Sequence, residues 1–202
     1  MNRAAPSIDG ALTISAAPPH HFGFGGPPAL RVAACSRPVT VSAIATCGSG
    51  YRATINSYQY GDAVAIAQIA DLAGRQDVAH DFRAKALKIK ELVQSRLWDK
   101  NAQFFKVMPR GNNPALANVR ELHGLTPWYF NLPDPEFMVA WKQVMDPKGF
   151  YARFGLTTAE QRHPQFRSHG IGTCEWDGAI WPFATSQTLS ALANYLRAGS
   201  SA

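Results

Sequence analysis

The chain has 202 residues, a formal net charge of +6, 46% apolar residues and 11% aromatic residues. That length supports one domain with a sizeable core, and that apolar content excludes wholesale disorder. The charge is spread thinly, and its densest stretch, RAKALKIK (83–90), has the spacing of a solvated helix face, so nothing in it points to nucleic acid as a partner.

Residues 1–48 differ from the rest: they carry paired prolines at 18–19 and 27–28, a GFGG run, a PPHH run and a single acid, Asp9. Val39, Val41 and Ile44 suit a short strand, but no helical period is sustained, so the segment reads as a low-complexity, disordered leader. From Gly50 the pattern changes to helices alternating with aromatic-rich loops. Gly61-Asp62 precedes AVAIAQIADLAG, with Asp62 expected as N-cap and Gly74 as C-cap. Asp77 is expected to cap the next helix, where Val78, Phe82, Ala86, Ile89, Val93 and Leu97 recur every three or four residues as one apolar stripe. Only Arg75 and Gln76 separate the two, which predicts an antiparallel helical hairpin. LWDKNAQFFKVMPRG (97–111) reads as a turn and a short extended run, and HGLTPWYFNLPDPEF (123–137) as a loop. A helix is expected over 135–146, with Asp134 as its cap and Pro135 in its first turn. A long polar loop (147–175) leads to a last helix from Trp181 to Arg197.

Several chemistries are excluded by spacing. Three cysteines (Cys35, Cys47, Cys174) form no CxxC; three free thiols is the reading, with a Cys35–Cys47 bridge as the alternative. The histidines (His20, His21, His80, His123, His163, His169) show no HxxxH or HExxH pattern, so no metal is expected. No phosphate loop, dinucleotide fingerprint or GxSxG element occurs, so no cofactor is expected either. No stretch approaches the roughly 20 apolar residues that span a bilayer, and the N-terminus lacks the order of a secretory signal, which leaves the cytoplasm as default compartment.

Three loops share a composition suited to a sugar ring, whose C–H face stacks on aromatics and whose hydroxyls need donors and acceptors. They are YRATINSYQYGD (Tyr51, Arg52, Asn56, Tyr60), TPWYFN (Trp128, Tyr129) and GTCEWDGAIWPFATSQ (Glu175, Trp176, Asp177, Trp181). Each residue also has a bland role: Trp181 and Tyr60 as core anchors, Asp62 as a cap, Arg52 in an ion pair with a loop carboxylate. Glu175 and Asp177 invite an acid/base reading, since glycoside hydrolysis uses two carboxylates roughly 5 Å apart (retaining) or 6.5–9.5 Å apart (inverting). Residues i and i+2 point to opposite faces of a strand, and in a helix they are about 200° apart. The pair alone therefore makes a poor dyad, and either member serves better as a hydroxyl partner or as a charge at the start of the following helix.

YRATINSYQYGDAVAIAQIADLAG, RLWDKNAQFFKV, RELHGLTPWYFNLPD and CEWDGAIWPFATSQTLSALANYL resemble successive segments of bacterial mannosylglycerate-hydrolase-like glycoside hydrolases, relatives of the family 63 glucosidases and trehalase-type (α/α)6 barrels. The resemblance covers about residues 49–197 and includes a Trp-x-Gly-x-x-Trp element at Trp176, Gly178 and Trp181. It implies inverting hydrolysis of an α-linked sugar. It also implies an acid upstream of the YRATINSY segment and a base Glu downstream of the last helix. Here no acid occurs between Asp9 and Asp62, and no Glu follows Leu196. The expectation is a fragment of a larger barrel that carries pocket-wall positions and neither catalytic carboxylate.

The fold expected is all-α, a partial (α/α)6 toroid over residues 49–202 preceded by the leader. The function expected is that of a glycoside-hydrolase-like domain acting on carbohydrate. A non-catalytic carbohydrate-binding or accessory module and a helical interaction protein remain as alternatives. A partial toroid leaves apolar helix faces uncovered, so self-association is expected, with no nucleic-acid or membrane partner.

Overall fold

The computed structural model describes residues 32–33, 50–109, 115–167 and 176–199. The expected strand near Val39–Ile44, Cys35, Cys47, Cys174 and Glu175 lie outside them. The described chain is built on three α-helices, α1 (Ala53–Leu72), α2 (Gln76–Arg96) and α3 (Pro182–Gly199), and two 3-10 helices, Leu122–Phe130 and Pro135–Gln143. Its strands are each two residues long: β1 (Val32–Ala33), β2 (Gly50–Tyr51), β3 (Trp98–Asp99), β4 (Phe104–Phe105), β5 (Met108–Pro109), β6 (Tyr151–Ala152) and β7 (Gly155–Leu156). β2 lies between β1 and β5, antiparallel to both, while β3–β4 and β6–β7 are separate hairpins. Among the described residues no helix is long and apolar enough to cross a membrane.

The α1–α2 hairpin forms as its sequence predicts. The buried residues of α1 are mostly small, Ala53, Ala63, Ala67 and Ala70 among them, and α2 buries Ala79 and Ala86, so the two backbones approach closely. Gly74, at φ 72°, ends α1 in a Schellman motif: its N–H donates to Asp71 O (3.0 Å) and that of Arg75 to Ala70 O (2.8 Å). Of the predicted stripe on α2, Ala86, Ile89, Val93 and Leu97 are buried, whereas Val78 and Phe82 are half-buried and Lys85 Nζ lies over the Phe82 ring at 4.3 Å. A central core then gathers Leu97, Phe104, Phe105, Leu122, Leu125, Trp128, Leu132 and Phe150 from the β3–β4 hairpin, the first 3-10 helix and the loops that follow.

The sequence expectations fail at four capping and loop positions. YRATINSYQYGD is not a loop: α1 starts at Ala53, right after an extended Arg52 (φ −121°, ψ 142°), so Asp62 lies in mid-helix and caps nothing. Asp77 lies in the first turn of α2 rather than at its cap, which is Arg75. HGLTPWYFN is 3-10 helical, ended by Asn131 in the left-handed region (φ 52°). Asp134 does occupy the position before the second 3-10 helix, but its carboxylate takes Lys90 Nζ (2.6 Å) and Gln94 Nε2 (2.9 Å) of α2 instead of capping. The polar stretch 147–175 also contains order the sequence did not show, the β6–β7 hairpin and buried Thr157, Thr158 and Glu160.

Gly61, which made the sequence look like a helix start, is in α1 for a packing reason. A Cβ there would lie 2.2 Å from Cδ1 of the Phe130 ring. Alanine gains about 1 kcal/mol in helix propensity, but overpacking costs about 1–3 kcal/mol, so the clash decides the sign. Gly61→Ala is expected to lower the unfolding free energy by about 1 kcal/mol, read from urea denaturation, and Phe130→Leu in the same chain to restore most of it. A stabilised Gly61→Ala would mean that α1 does not meet Phe130.

Candidate functional site

Three elements converge on one polar and aromatic cluster. Arg52 sits between β2 and α1, Glu121 immediately precedes the Leu122–Phe130 helix, and His123 lies in its first turn. Arg52 Nη1 is 2.5 Å from Glu121 Oε2, with side chains only 18% and 13% exposed. The His123 ring lies 4.5 Å from that of Trp176 at 34°, and Trp176 stacks on Trp181 at 4.9 Å and 14°.

The Trp176–Trp181 loop is fixed by its backbone. Gly178 has φ 154°, and a Cβ there would meet Arg167 O at 2.1 Å, so only glycine fits the Trp-x-Gly-x-x-Trp element. Its N–H donates to Thr158 Oγ1 (3.1 Å), and that hydroxyl donates to Ala179 O (3.0 Å). On the other side the Arg167 N–H donates to Asp177 O (3.1 Å), and Arg167 Nε donates to Asp177 Oδ2 (2.5 Å). Asp177 is buried (5% exposed) and its carboxylate is engaged in clamping this loop.

Electrostatics separate the three titratable groups of the cluster. Burial pushes the Glu121 carboxyl above its ordinary range, opposed by the Arg52 charge beside it. Burial, and secondarily Arg52, lowers His123 to about 4, so its imidazole is neutral at pH 7. The site thus presents one ion pair, one neutral ring and a flat indole stack. Among the described residues no group of His, Cys, Asp and Glu is arranged to hold a metal ion.

The residues singled out from sequence divide between this cluster and the core. Arg52, Trp176 and Trp181 come together, and both tryptophans are also partly buried against the core. Asn56 is buried, donating from Nδ2 to Arg52 O at 2.7 Å, and so supports the cluster from within α1. Tyr51 and Tyr60 are half-buried against the core. Trp128, 3% exposed, packs on Phe105 (5.7 Å) and Trp141 (5.4 Å), while Tyr129 lies at the surface with its carbonyl accepting Asn194 Nδ2 (2.8 Å). Glu121 and His123 were missed as site residues. Their signal was a carboxylate and a histidine two apart, directly upstream of the TPWYFN stretch.

The expected resemblance is found both in a family model and among solved structures. The family model for the mannosylglycerate hydrolase MGH1-like glycoside hydrolase domain matches residues 5–202, a range that also takes in most of the segment read as a leader. No curated protein matches the chain. Among solved structures, one named as a sialidase is 49% identical with a TM-score of 0.71, covering 76% of this chain and 14% of that one. The GH63 mannosylglycerate hydrolase from Thermus thermophilus, solved in complex with glucose, is 16% identical with a TM-score of 0.62, covering 75% of this chain and 36% of that one. Neutral trehalase Nth1 from Saccharomyces cerevisiae is 16% identical with a TM-score of 0.60, covering 72% of this chain and 28% of that one. The last two show a shared fold, the partial (α/α)6 arrangement of helical hairpins. The chain, spanning little more than a third of the Thermus enzyme, belongs to the mannosylglycerate hydrolase MGH1-like family of glycoside hydrolases.

Proposed function

We propose that this chain forms a carbohydrate-binding wall of a GH63- and trehalase-type glycoside hydrolase domain, whose reaction is inverting hydrolysis of an α-glycosidic bond. We propose further that the acid and base of that reaction are not among its own residues. The observation that carries the reading is the Trp176–Trp181 stack, set beside neutral His123 and the Arg52–Glu121 pair. A flat apolar face flanked by hydroxyl partners is the arrangement a pyranose ring requires. The glucose bound in the Thermus relative supports the substrate class. Among the described residues the carboxylates of the wall are otherwise engaged, Asp177 by Arg167 and one oxygen of Glu121 by Arg52, which supports reading neither as a free general acid.

A non-catalytic sugar-binding segment is the second reading, favoured by the 14% share of the sialidase chain that the match spans. Both readings predict saturable changes in tryptophan fluorescence when the full chain is titrated with glucose or methyl α-D-mannoside into the millimolar range. Trp181→Phe, which keeps a flat face, is expected to retain the response, and Trp181→Leu to lose it. No response to any sugar would sink both and leave a helical interaction protein. Turnover of aryl α-glucosides or α-mannosides, abolished by Glu175→Gln or Asp177→Asn, would overturn the absence of catalytic carboxylates.

The neutral state of His123 has its own consequence. Its pKa in the folded chain is about 4 against an ordinary 6.5, so the unfolded chain binds the proton more tightly. The stabilisation is fully present above pH 6.5 and declines as the pH falls towards 4. The loss has an upper bound of about 3 kcal/mol. Replacing His123 by Gln is expected to flatten that part of the pH–stability curve, measured by urea denaturation at each pH.

A further inference from the structure

We propose that Glu121 is the carboxylate that selects the sugar, accepting a ring hydroxyl at its open oxygen while the ring rests beside the Trp176–Trp181 stack. This deepens the reading of the cluster as a sugar wall and rests on it. Glu121 belongs to none of the aromatic stretches that mark the site in the sequence, and its assignment comes from three features of its surroundings.

The first is rigidity. The Glu121 backbone bridges to Ala159, its carbonyl accepts Gly124 N–H (2.8 Å), and the next N–H, of Leu122, donates to Thr158 O (2.9 Å). A side chain rooted there is held in place before any ligand arrives, which is what selective recognition needs. The second is the division of labour between its two oxygens. Oε2 is held by Arg52 Nη1, whereas Oε1 accepts no hydrogen bond among the described residues, and the side chain keeps 13% exposure. Arg52 aims the group and favours its charged form against the burial that raises its pKa, and an ionised acceptor binds a hydroxyl about twice as strongly as a neutral one.

The third is comparison with the neighbouring carboxylates among the described residues. Glu160 receives the Arg120 N–H at Oε1 and Arg120 Nη1 at Oε2, with Arg162 Nε 3.2 Å from the latter. Asp177 is clamped by Arg167. Glu121 keeps an oxygen to give where Glu160 has none, and its side chain is more exposed than that of Asp177 (13% against 7%), while His123, two residues on, carries the contact to Trp176. A ring lying against the indoles turns its C–H face to them and leaves its edge hydroxyls to polar partners such as this carboxylate.

The test is a tryptophan-fluorescence titration of the full chain with glucose and with its 2-, 3-, 4- and 6-deoxy analogues. The wild type is expected to bind one or two of the deoxy sugars about tenfold more weakly than glucose. In Glu121→Gln glucose itself is expected to weaken about tenfold, and the gap between it and those deoxy sugars to close. A general loss of structure would weaken every sugar alike and leave the gaps standing. If Glu121→Gln keeps the same deoxy penalties, the proposal is wrong while the sugar wall stands; if the wild type responds to no sugar, both fall. Should Glu121→Gln fail to fold, the paired replacement Arg52→Met with Glu121→Leu leaves no buried charge uncompensated, and the same panel is read on it. Closed gaps there support the assignment and persistent gaps overturn it.

Discussion

The buried ion pair between Arg120 and Glu160 sets the geometry on which the site depends. The Arg120 guanidinium reaches Glu160 Oε2 (2.6 Å) through Nη1 and the Ala102 carbonyl through Nε (3.1 Å) and Nη2 (2.8 Å). The backbones take part as well: Arg120 N–H donates to the Glu160 side chain at Oε1 (2.8 Å), and Glu160 N–H donates to Arg120 O (3.1 Å). One residue therefore joins the β3–β4 turn, the approach to the first 3-10 helix and the stretch 157–160. Desolvating two charges costs several kcal/mol per ion, and such a pair seldom adds net stability. Its effect is on register, since polar groups with fixed directions admit one alignment where apolar contacts admit several.

That alignment passes outward in both directions. On one side it places Glu121 against Ala159 and beside Arg52. On the other it brings Thr158 to the Gly178 N–H, and Thr157 to Ile180, which positions the loop bearing Trp176 and Trp181. The segments bearing the aromatic stack and the carboxylate are both tied to a single stretch, 157–160, and His123 meets Trp176 from the Glu121 side. Arg52 then has two electrostatic effects in the cluster: it favours the Glu121 anion and disfavours a proton on His123. The formal charge of the trio is zero, with a local dipole and no surplus of either sign. Such a surface attracts a polar, uncharged ligand and gives no long-range pull on an anion, which is the balance a neutral sugar requires.

How much of this the sequence disclosed follows from the range over which each signal acts. The stripe on α2, the α1–α2 turn at Gly74 and the extent of α3 were legible, because helical period, a C-terminal glycine and an early proline are local. The start of α1 was not, because Gly61-Asp62 mimics a cap and the reason for the glycine, the Phe130 ring, is far away in sequence. The first 3-10 helix escaped for the same reason: Pro127 looks like a loop marker but is tolerated in a helical turn when the core fixes it. In the site, the Trp-x-Gly-x-x-Trp element was visible as a pattern, and its glycine requirement is explained by Arg167. Trp128 looked equivalent to the other tryptophans but anchors the core. Glu121 carried no local mark. Its partner is Arg52, 69 residues away, and pairing at that distance is decided by the fold.

The energetics of a wall differ from those of a pocket. Ligand sites that bind small molecules tightly bury about 70–90% of the ligand surface. A stack on one face and one charge-assisted hydrogen bond contribute together only a few kcal/mol, before the cost of immobilising the sugar is subtracted. That sum corresponds to millimolar dissociation constants. Weak affinity and strict discrimination are compatible here, because discrimination depends on what Glu121 loses when a hydroxyl is absent, whereas affinity depends on how much of the ring is enclosed. The rigid backbone around Glu121 preserves the first quantity irrespective of the second, and selectivity among sugars is therefore a sharper reporter of this surface than the strength with which it holds any one of them.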